Sequence, residues 1–216
     1  MKNVEISIPI KDEFIKGNLT LVDNSNALVV FAHGSGSSRF SKRNQYVADL
    51  FNQAGLSTFL FDLLTQQEDE IDQITRQFRF DIPRLAQRLV MVAQWLKGME
   101  DTKHLSVGYF GASTGAAAAL IAAAKIPENV SAVVSRGGRP DLAIDYLDKV
   151  QAPTLLIVGQ LDYEVITLNE FAFKHLHCTK ELYTVPGATH LFEESGTLDQ
   201  AAKVAVNWFT EFLIKK

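Results

Sequence analysis

The chain of 216 residues is long enough to bury a substantial core, and 47% apolar with 21% charged residues is an ordinary balance for a globular protein. Its formal charge of −4 excludes a general attraction to nucleic acid or to an anionic membrane surface. Cys178 is the single cysteine, so no intrachain disulfide is possible. The N-terminus does not resemble a secretory signal, and the longest apolar run, around residues 116–124, is too short to span a bilayer. We therefore expect a cytoplasmic protein without nucleic-acid or membrane partners, and nothing in the sequence indicates its oligomeric state.

The chain opens with two segments of alternating or β-branched residues, Val4–Ile10 and Phe14–Val22, which predict an antiparallel pair of strands. Strands then alternate with helices. The predicted strands are Ala27–Ala32, Thr58–Leu64, Leu105–Phe110, Val130–Val134, Thr154–Val158 and Glu181–Val185. The predicted helices are Lys42–Gln53, Pro83–Lys97, Thr114–Lys125, Asp141–Lys149, Val165–Leu176 and Leu198–Ile214.

This alternation predicts an α/β fold: a mostly parallel sheet of about eight strands with an antiparallel start and helices on both faces. No Pro/Gly/Ser-rich linker divides the chain, so we predict one domain over residues 1–216. The polar stretch Thr65–Phe80 predicts an irregular excursion, and its acidic run Glu68–Asp72 predicts a solvated face. In such sheets ligands bind at the carboxyl ends of the strands, so the loops after strands are where a functional site is expected.

Gly111-Ala112-Ser113-Thr114-Gly115 follows a predicted strand and opens an alanine-rich predicted helix. This Gly-x-Ser-x-Gly pattern is typical of a nucleophile elbow, in which a serine sits on a sharp strand-to-helix turn. The alternative is a Gly/Ala-rich packing helix whose serine has no special role. The position between a strand and a helix favours the elbow.

A nucleophilic serine needs a base, and the base needs an acid that orients it. Asp162 comes just after a buried predicted strand, and His190 lies in the loop after the next one, which gives the order Ser, Asp, His along the chain. Taken singly, Asp162 could cap the helix that follows it, and His190 could be a surface-loop histidine. The three residues in this order favour a catalytic triad of Ser113, Asp162 and His190.

The loop His33-Gly34-Ser35-Gly36-Ser37-Ser38 follows the predicted strand Ala27–Ala32. An oxyanion hole of this type uses the N–H after the nucleophile and a second N–H from the loop after an early strand. We predict the N–H groups of Thr114 and Ser35 as donors, with Gly36 as the alternative to Ser35. His33 is predicted to fix this loop and not to act as the base.

These motifs, His33–Gly36, Gly111–Gly115, Asp162 and Pro186–His190, make the chain similar to α/β-hydrolases, and most similar to the small lid-less branch that contains the dienelactone hydrolases. The resemblance spans nearly the whole chain. It implies hydrolysis of an ester or related acyl bond through an acyl-enzyme, without cofactor or metal. Dienelactone hydrolases proper use cysteine as the nucleophile, whereas this chain has Ser113, which favours a serine esterase. Only residues 137–153 lie where larger relatives insert a lid, so an open site is expected.

Four arginines follow strands near the predicted site: Arg39, Arg43, Arg136 and Arg139. A planar guanidinium suits carboxylate or phosphate, so the arginines predict a substrate with an anionic group. The alternative is structural pairing with nearby acidic residues, among them Asp141 and Glu193. The sequence leaves both readings open.

The function predicted is a serine hydrolase that cleaves a carboxylic ester, lactone or thioester of a small acyl substrate, with an anionic substrate as one possibility. The alternative, of another class, is a non-catalytic small-molecule binding or sensor protein on the same fold. The Gly34-x-Gly36 pattern is a weak dinucleotide signal, because Arg39 occupies the position of the third glycine. His175, His177 and Cys178 are spaced too closely at a helix end to hold one metal ion together.

Overall fold

A computed structural model of the protein describes residues 1–214. The strands form one eight-stranded sheet in the order β1-β2-β4-β3-β5-β6-β7-β8. Their bounds are β1 Lys2–Ile10, β2 Glu13–Leu21, β3 Ala27–Ala32, β4 Ser57–Phe61, β5 Ser106–Ala112, β6 Ala132–Arg136, β7 Thr154–Gly159 and β8 Lys180–Val185. The first pairing and that of β2 with β4 are antiparallel, and the pairings from β4 to β8 are parallel. The predicted fold class is confirmed.

The helices lie on both faces of this sheet. Their bounds are α1 Lys42–Gln53, α2 Gln66–Thr75, α3 Ile82–Gly98, α4 Thr114–Lys125, α5 Ile144–Leu147, α6 Tyr163–His175 and α7 Thr197–Phe209. A buried core on one face joins α3, α4 and α6 to the sheet, and a second core on the other face joins α1 and α7. Strand β3 shows why its sequence is apolar throughout: Leu28 and Val30 point into the first core, and Val29 and Phe31 into the second.

The segment Thr65–Phe80, predicted to be irregular, contains the helix α2. The prediction was wrong because α2 has no apolar stripe; its isoleucines, Ile71 and Ile74, are 45% and 86% exposed. The helix is instead stabilised at its start by a capping box, in which Thr65 and Glu68 each bond the other's backbone N–H. The periodic spacing of apolar residues, which predicts most helices, cannot detect a helix without an apolar face.

The acidic run Glu68–Asp72 is also not simply a solvated face. Asp72 is buried and accepts hydrogen bonds from the backbone N–H groups of Phe78 and Arg79 and from Arg79 Nε. These bonds hold the pKa of the Asp72 carboxyl below its usual value, against the effect of desolvation. Glu68 binds the guanidinium groups of Arg84 and Arg88 on α3. The partners of Asp72 come from the turn after α2 and those of Glu68 from the next helix, and neither set belongs to a helical pattern in the acidic run itself.

The segment 141–149, predicted as one short helix, consists of a 3₁₀ turn, Pro140–Ala143, followed by the single α-helical turn α5. The predicted closing helix Leu198–Ile214 is divided into α7 and a π-helical turn, Thr210–Ile214. Within residues 1–214, no helix combines the length and the apolar character that a membrane span requires.

Candidate active site

Ser113 sits between β5 and α4 with φ 51° and ψ −122°, a conformation that costs energy for any residue other than glycine. The flanking glycines are required sterically. A Cβ on Gly111 would lie 2.4 Å from Ala116 Cα, and one on Gly115 would lie 2.2 Å from the carbonyl oxygen of Ala32. Close contact between helix, turn and the adjacent strand therefore holds Ser113 in its strained turn, which is the geometry of a nucleophile elbow.

The loop after β3 lies directly against this turn. A Cβ on Gly34 would be 3.1 Å from Ser113 Cβ, so the loop backbone passes beside the serine. The Ser35 N–H donates to Thr114 Oγ1 at 2.9 Å, which connects the two residues predicted to form the oxyanion hole. Gly36 follows with φ +71°, a conformation that favours glycine. The structure thus brings Ser35 and Thr114 together beside Ser113, whereas Gly36 lies next to Arg79 and is not among the residues that line the pocket with Ser113.

His33 anchors the loop from within. Its Nδ1–H donates to the Gly34 carbonyl oxygen at 2.9 Å, and its Nε2 accepts from the Leu63 N–H at 3.1 Å. Burial lowers the pKa of His33, so the ring is neutral with both nitrogens occupied. With no nitrogen available for a substrate or for Ser113, His33 is suited to hold the loop and not to transfer protons.

Asp162 and His190 meet at the carboxyl end of the sheet, where His190 Nδ1 lies 2.7 Å from Asp162 Oδ2. Asp162 is the N-cap residue of α6, but its side chain makes no capping hydrogen bond, so the carboxylate is available for the histidine. An ionised carboxylate accepts only, which places a proton on Nδ1 and leaves Nε2 as an acceptor. This is the tautomer that a general base needs.

The His190 loop has a brace that sequence reasoning missed. Glu194 accepts from the Thr189 backbone N–H at 3.1 Å and from its hydroxyl at 2.6 Å. Both bonds lower the pKa of the Glu194 carboxyl. A Thr-x-x-x-x-Glu spacing after a predicted strand was the available signal, and it is too common to be diagnostic.

Ser113 and His190 line one pocket of about 210 Å³, called here the catalytic pocket, together with Ser35, Arg43 and Arg136. Asn44, Gly137 and Leu191 complete much of its wall. A serine, a histidine held by a carboxylate, and the loop after β3 therefore meet at one small cleft. This arrangement can perform acyl transfer.

The four arginines differ in their contacts. Three of them have carboxylate partners: Arg39 binds Asp62, Arg43 binds Glu193 at 3.0 Å, and Arg139 binds Asp141 at 2.8 and 2.9 Å. The pairing alternative therefore describes Arg43 and Arg139, and Arg39 has a partner that the sequence did not suggest. Of the three, only Arg43 lines the catalytic pocket.

Arg136 is different, because it is 8% exposed and forms no salt bridge within residues 1–214. Its one side-chain hydrogen bond runs from Nη2 to Asn44 Oδ1 at 3.3 Å, and its buried Nη1 has no partner in the described chain. Desolvation, and secondly the charge of Arg43, lower its pKa to about 10, so it stays protonated at neutral pH. A buried cation with a spare donor thus borders the cleft that contains Ser113.

Comparison with known proteins decides the family. The model described as the dienelactone hydrolase family matches residues 15–215. The chain belongs to the dienelactone hydrolase family. Among solved structures, a dienelactone hydrolase from Anabaena variabilis ATCC 29413 is 55% identical, with a TM-score of 0.96 over 98% of both chains. Est1E from Butyrivibrio proteoclasticus, 15% identical with a TM-score of 0.83 over 98% of this chain and 99% of its own, shares the fold.

Curated relatives add a different name to the family. A protein of Mycobacterium tuberculosis strain H37Rv, "Putative phosphoribosyl transferase Rv0571c", is 53% identical over 213 residues. These residues are 99% of this chain but 47% of that protein, so the chain spans about half the length of the curated relatives that it matches. The name describes the longer protein.

The two weak alternatives gain nothing from the structure. Gly34 and Gly36 belong to the loop that contacts Ser113, and their setting is a hydrolase fold. No group of three or more His, Cys, Asp or Glu side chains between residues 1 and 214 is arranged to hold a metal ion.

Proposed function

We propose that the protein is a serine hydrolase that cleaves the ester, lactone or thioester bond of a small anionic acyl substrate. The observation that carries the proposal is the 2.7 Å contact of His190 with Asp162 beside the strained Ser113 in the same pocket. Family membership supports hydrolysis; the serine mechanism and the bond cleaved are the proposed additions.

In the proposed mechanism Ser113 Oγ attacks the acyl carbon while His190 Nε2 accepts the hydroxyl proton. Asp162 stabilises the resulting imidazolium and keeps the ring oriented. The tetrahedral intermediate collapses when His190 returns the proton to the leaving group, which gives an acyl-enzyme. Water, deprotonated by His190, then attacks the acyl carbon, and Ser113 leaves with the proton. Neither a metal nor a redox cofactor takes part in these steps.

The oxyanion would be held by backbone N–H groups. Thr114 is the first residue of α4, so its N–H has no intrahelical partner and points where a helix start favours negative charge. The Ser35 N–H is the proposed second donor; because it already bonds Thr114 Oγ1, it must share or exchange that bond. Gly36 remains the alternative donor.

Arg136 supports an anionic substrate. Its spare buried donor carries a positive charge that no side chain neutralises within the described residues, and a carboxylate or phosphate in the catalytic pocket would do so. The name of the mycobacterial relatives brings a phosphate-bearing, ribose-like group into consideration beside a carboxylate. Parallel assays of carboxylated and phosphorylated acyl esters would distinguish the two.

A fluorophosphonate probe tests the serine mechanism. The wild-type protein should be labelled, Ser113→Ala should not, and Ser37→Ala, which removes another serine of the catalytic pocket, should be labelled as wild type. Loss of the nucleophile is expected to lower kcat by roughly 10⁶ if chemistry limits turnover. A folded wild-type protein that stays unlabelled would favour the alternative, a binding or sensor protein without turnover.

A further inference from the structure

A second cavity, about 360 Å³ in volume, adjoins the loop after β3, residues 33–38, which contains the proposed oxyanion donor and is called here the oxyanion loop. We call it the side cavity; its walls come from β2, the loop after β3, the segment after β4, and α2 to α3, and include Phe14, Phe40, Leu63 and Leu85. Ser113 and His190 are not among its lining residues. Nothing in the family match or in the relatives' names assigns it a role.

The side cavity adjoins the catalytic pocket through shared backbone. Gly34, Ser35 and Ser37 line both spaces, so both adjoin the same loop. Because Gly34 lies against Ser113, a substrate whose scissile carbonyl is at Ser113 needs only a few bonds to pass over this loop. The side cavity is thus within reach of a non-reacting part of the substrate.

The charged side chains that line the side cavity balance in number: Lys16, Arg39 and Arg79 face Asp62, Asp69 and Asp72. Arg39 binds Asp62, and Arg79 binds the buried Asp72, whereas Lys16 and Asp69 form no ion pair within residues 1–214. His33, which also lines it, is neutral for the reason given above. Because the lining carries no excess of either charge, it favours a neutral occupant.

The apolar part of the lining favours an aromatic occupant. Phe14 and Phe40 are 55% and 59% exposed, whereas Leu63 and Leu85 form a buried floor. The Arg39 guanidinium lies 4.3 Å from the centroid of the Phe40 ring and helps to fix that ring in place. Exposed aromatic rings above an aliphatic floor offer both edge and face contacts to a planar ring.

We propose that the side cavity binds a neutral aromatic ring of the substrate, attached within a few bonds of the scissile carbonyl. This inference rests on the proposed function, since it makes the cavity a specificity subsite of the same hydrolase. The substrate class becomes an aryl-substituted ester, with its ring in the side cavity and any anionic group beside Arg136.

A binding experiment tests the subsite without requiring turnover. In the Ser113→Ala background, calorimetric titration should show methyl phenylacetate or benzyl acetate binding at least tenfold more tightly than methyl acetate. Phe40→Ala should weaken binding of the favoured aryl ester by about tenfold, and Phe14→Ala by a similar factor, because each removes one aromatic contact. Phe171→Ala, on α6, removes a comparably exposed ring that lines none of the pockets described and should change nothing.

The outcomes separate the two proposals. Equal affinity for aryl and methyl esters, or aryl binding that neither Phe40→Ala nor Phe14→Ala weakens, would overturn the side-cavity proposal. Turnover by the protein with Ser113 intact is measured separately: failure to hydrolyse any ester would refute the proposed function, while the titrations would still decide whether the cavity binds aromatic rings.

Discussion

Replacing Arg136 by methionine is expected to stabilise the free protein and to impair it as a catalyst for anionic substrates. Methionine replaces the aliphatic part of the arginine side chain, it is flexible, and it carries no charge. The burial of the full positive charge of Arg136 is offset only by one hydrogen bond, at 3.3 Å, and by two distant cation–π contacts, at 5.7 Å from the Phe110 ring and 5.9 Å from the Phe192 ring. Its removal should therefore relieve more unfavourable desolvation than it loses in bonding.

The magnitude follows from the pKa. Burial, with a smaller effect of Arg43, lowers the pKa of Arg136 to about 10. At about 1.4 kcal/mol per pKa unit, this displacement corresponds to roughly 3 kcal/mol of cost for the charged side chain in the folded protein. Packing around methionine will not be ideal, so a gain of about 1–3 kcal/mol in the free energy of unfolding is expected for Arg136→Met, measured by urea denaturation at pH 7.5.

Catalysis should change in the opposite direction and selectively. A charge-assisted hydrogen bond contributes about 1.5–3 kcal/mol, so kcat/KM for p-nitrophenyl hemisuccinate should fall about 10–100-fold in Arg136→Met. The value for neutral p-nitrophenyl acetate should change less than about threefold, because no anion is present to bind. Arg139→Met is the matched control: its guanidinium is already paired with Asp141, and it should alter neither selectivity nor, by much, stability.

A less stable Arg136→Met protein that loses activity equally on both esters would refute this reasoning. Such a result would mean that Arg136 supports the structure of the elbow, whose Ser113 N–H bonds the Arg136 carbonyl oxygen at 3.3 Å. If Arg136 binds the anionic group of the substrate, its replacement should raise the stability of the free protein and remove the preference for the anionic ester. Replacing an arginine with only a structural role would not produce both effects.

Three further changes test the surroundings of Ser113. Thr114→Val removes the hydroxyl that holds the Ser35 N–H beside Ser113, so the loop after β3 should lose its position and kcat should fall about 10–100-fold with KM little changed. Thr114→Ser keeps the hydroxyl and should retain most of the rate. An unchanged or higher kcat in Thr114→Val would show that the Thr114 hydroxyl does not position the Ser35 N–H. Gly115→Ala should prevent folding or lower the free energy of unfolding by several kcal/mol, because the added Cβ would collide with backbone atoms. The control Gly98→Ala has open space around the added Cβ, so it should leave the free energy of unfolding unchanged or raise it by up to about 1 kcal/mol. Equal effects of the two substitutions would contradict the steric argument. The pKa of His33 is lowered in the folded protein, so the unfolded chain binds more protons below pH 6.5. The free energy of unfolding should therefore decrease as the pH is lowered below 6.5, by at most about 1.4 kcal/mol per pH unit from this group. Urea titrations of His33→Gln should lack this contribution, and a pH dependence identical to that of the wild type would contradict the prediction.

Sequence alone was sufficient where local pattern and function coincide. The continuous apolar run of β3 predicts a strand that is covered on both faces, and the elbow pattern around Ser113 predicts a turn between a strand and a helix. Ser113, Asp162 and His190 each follow a predicted strand, which places all three at the same edge of the sheet. These features depend on the neighbouring residues and on general rules of parallel sheets. Their catalytic roles remain predictions that the labelling experiment addresses.

Pattern reasoning failed where stability comes from distant partners. Helix α2 lacks an apolar face and depends on its cap and on ion pairs between Glu68 and α3. The same limit applies to the arginines, which look equivalent in the sequence. Only the tertiary structure shows that Arg139 has Asp141 while Arg136 has no carboxylate in the described chain. Whether an arginine has a carboxylate partner depends on how the loops pack at the edge of the sheet, and the spacing of residues along the sequence does not reveal it.

The close fit of Gly115 against the carbonyl oxygens of Ala32 and His33 has a consequence for how this protein could diversify. The turn that holds Ser113 and the loop after β3 share backbone contacts, so neither could be lengthened or exchanged without rebuilding the other. Mutations that change which substrate is bound would have to occur in the segments that flank the cleft, namely residues 62–81 and the loop after β6. The centre of the cleft would remain nearly invariant while its two flanks evolve independently.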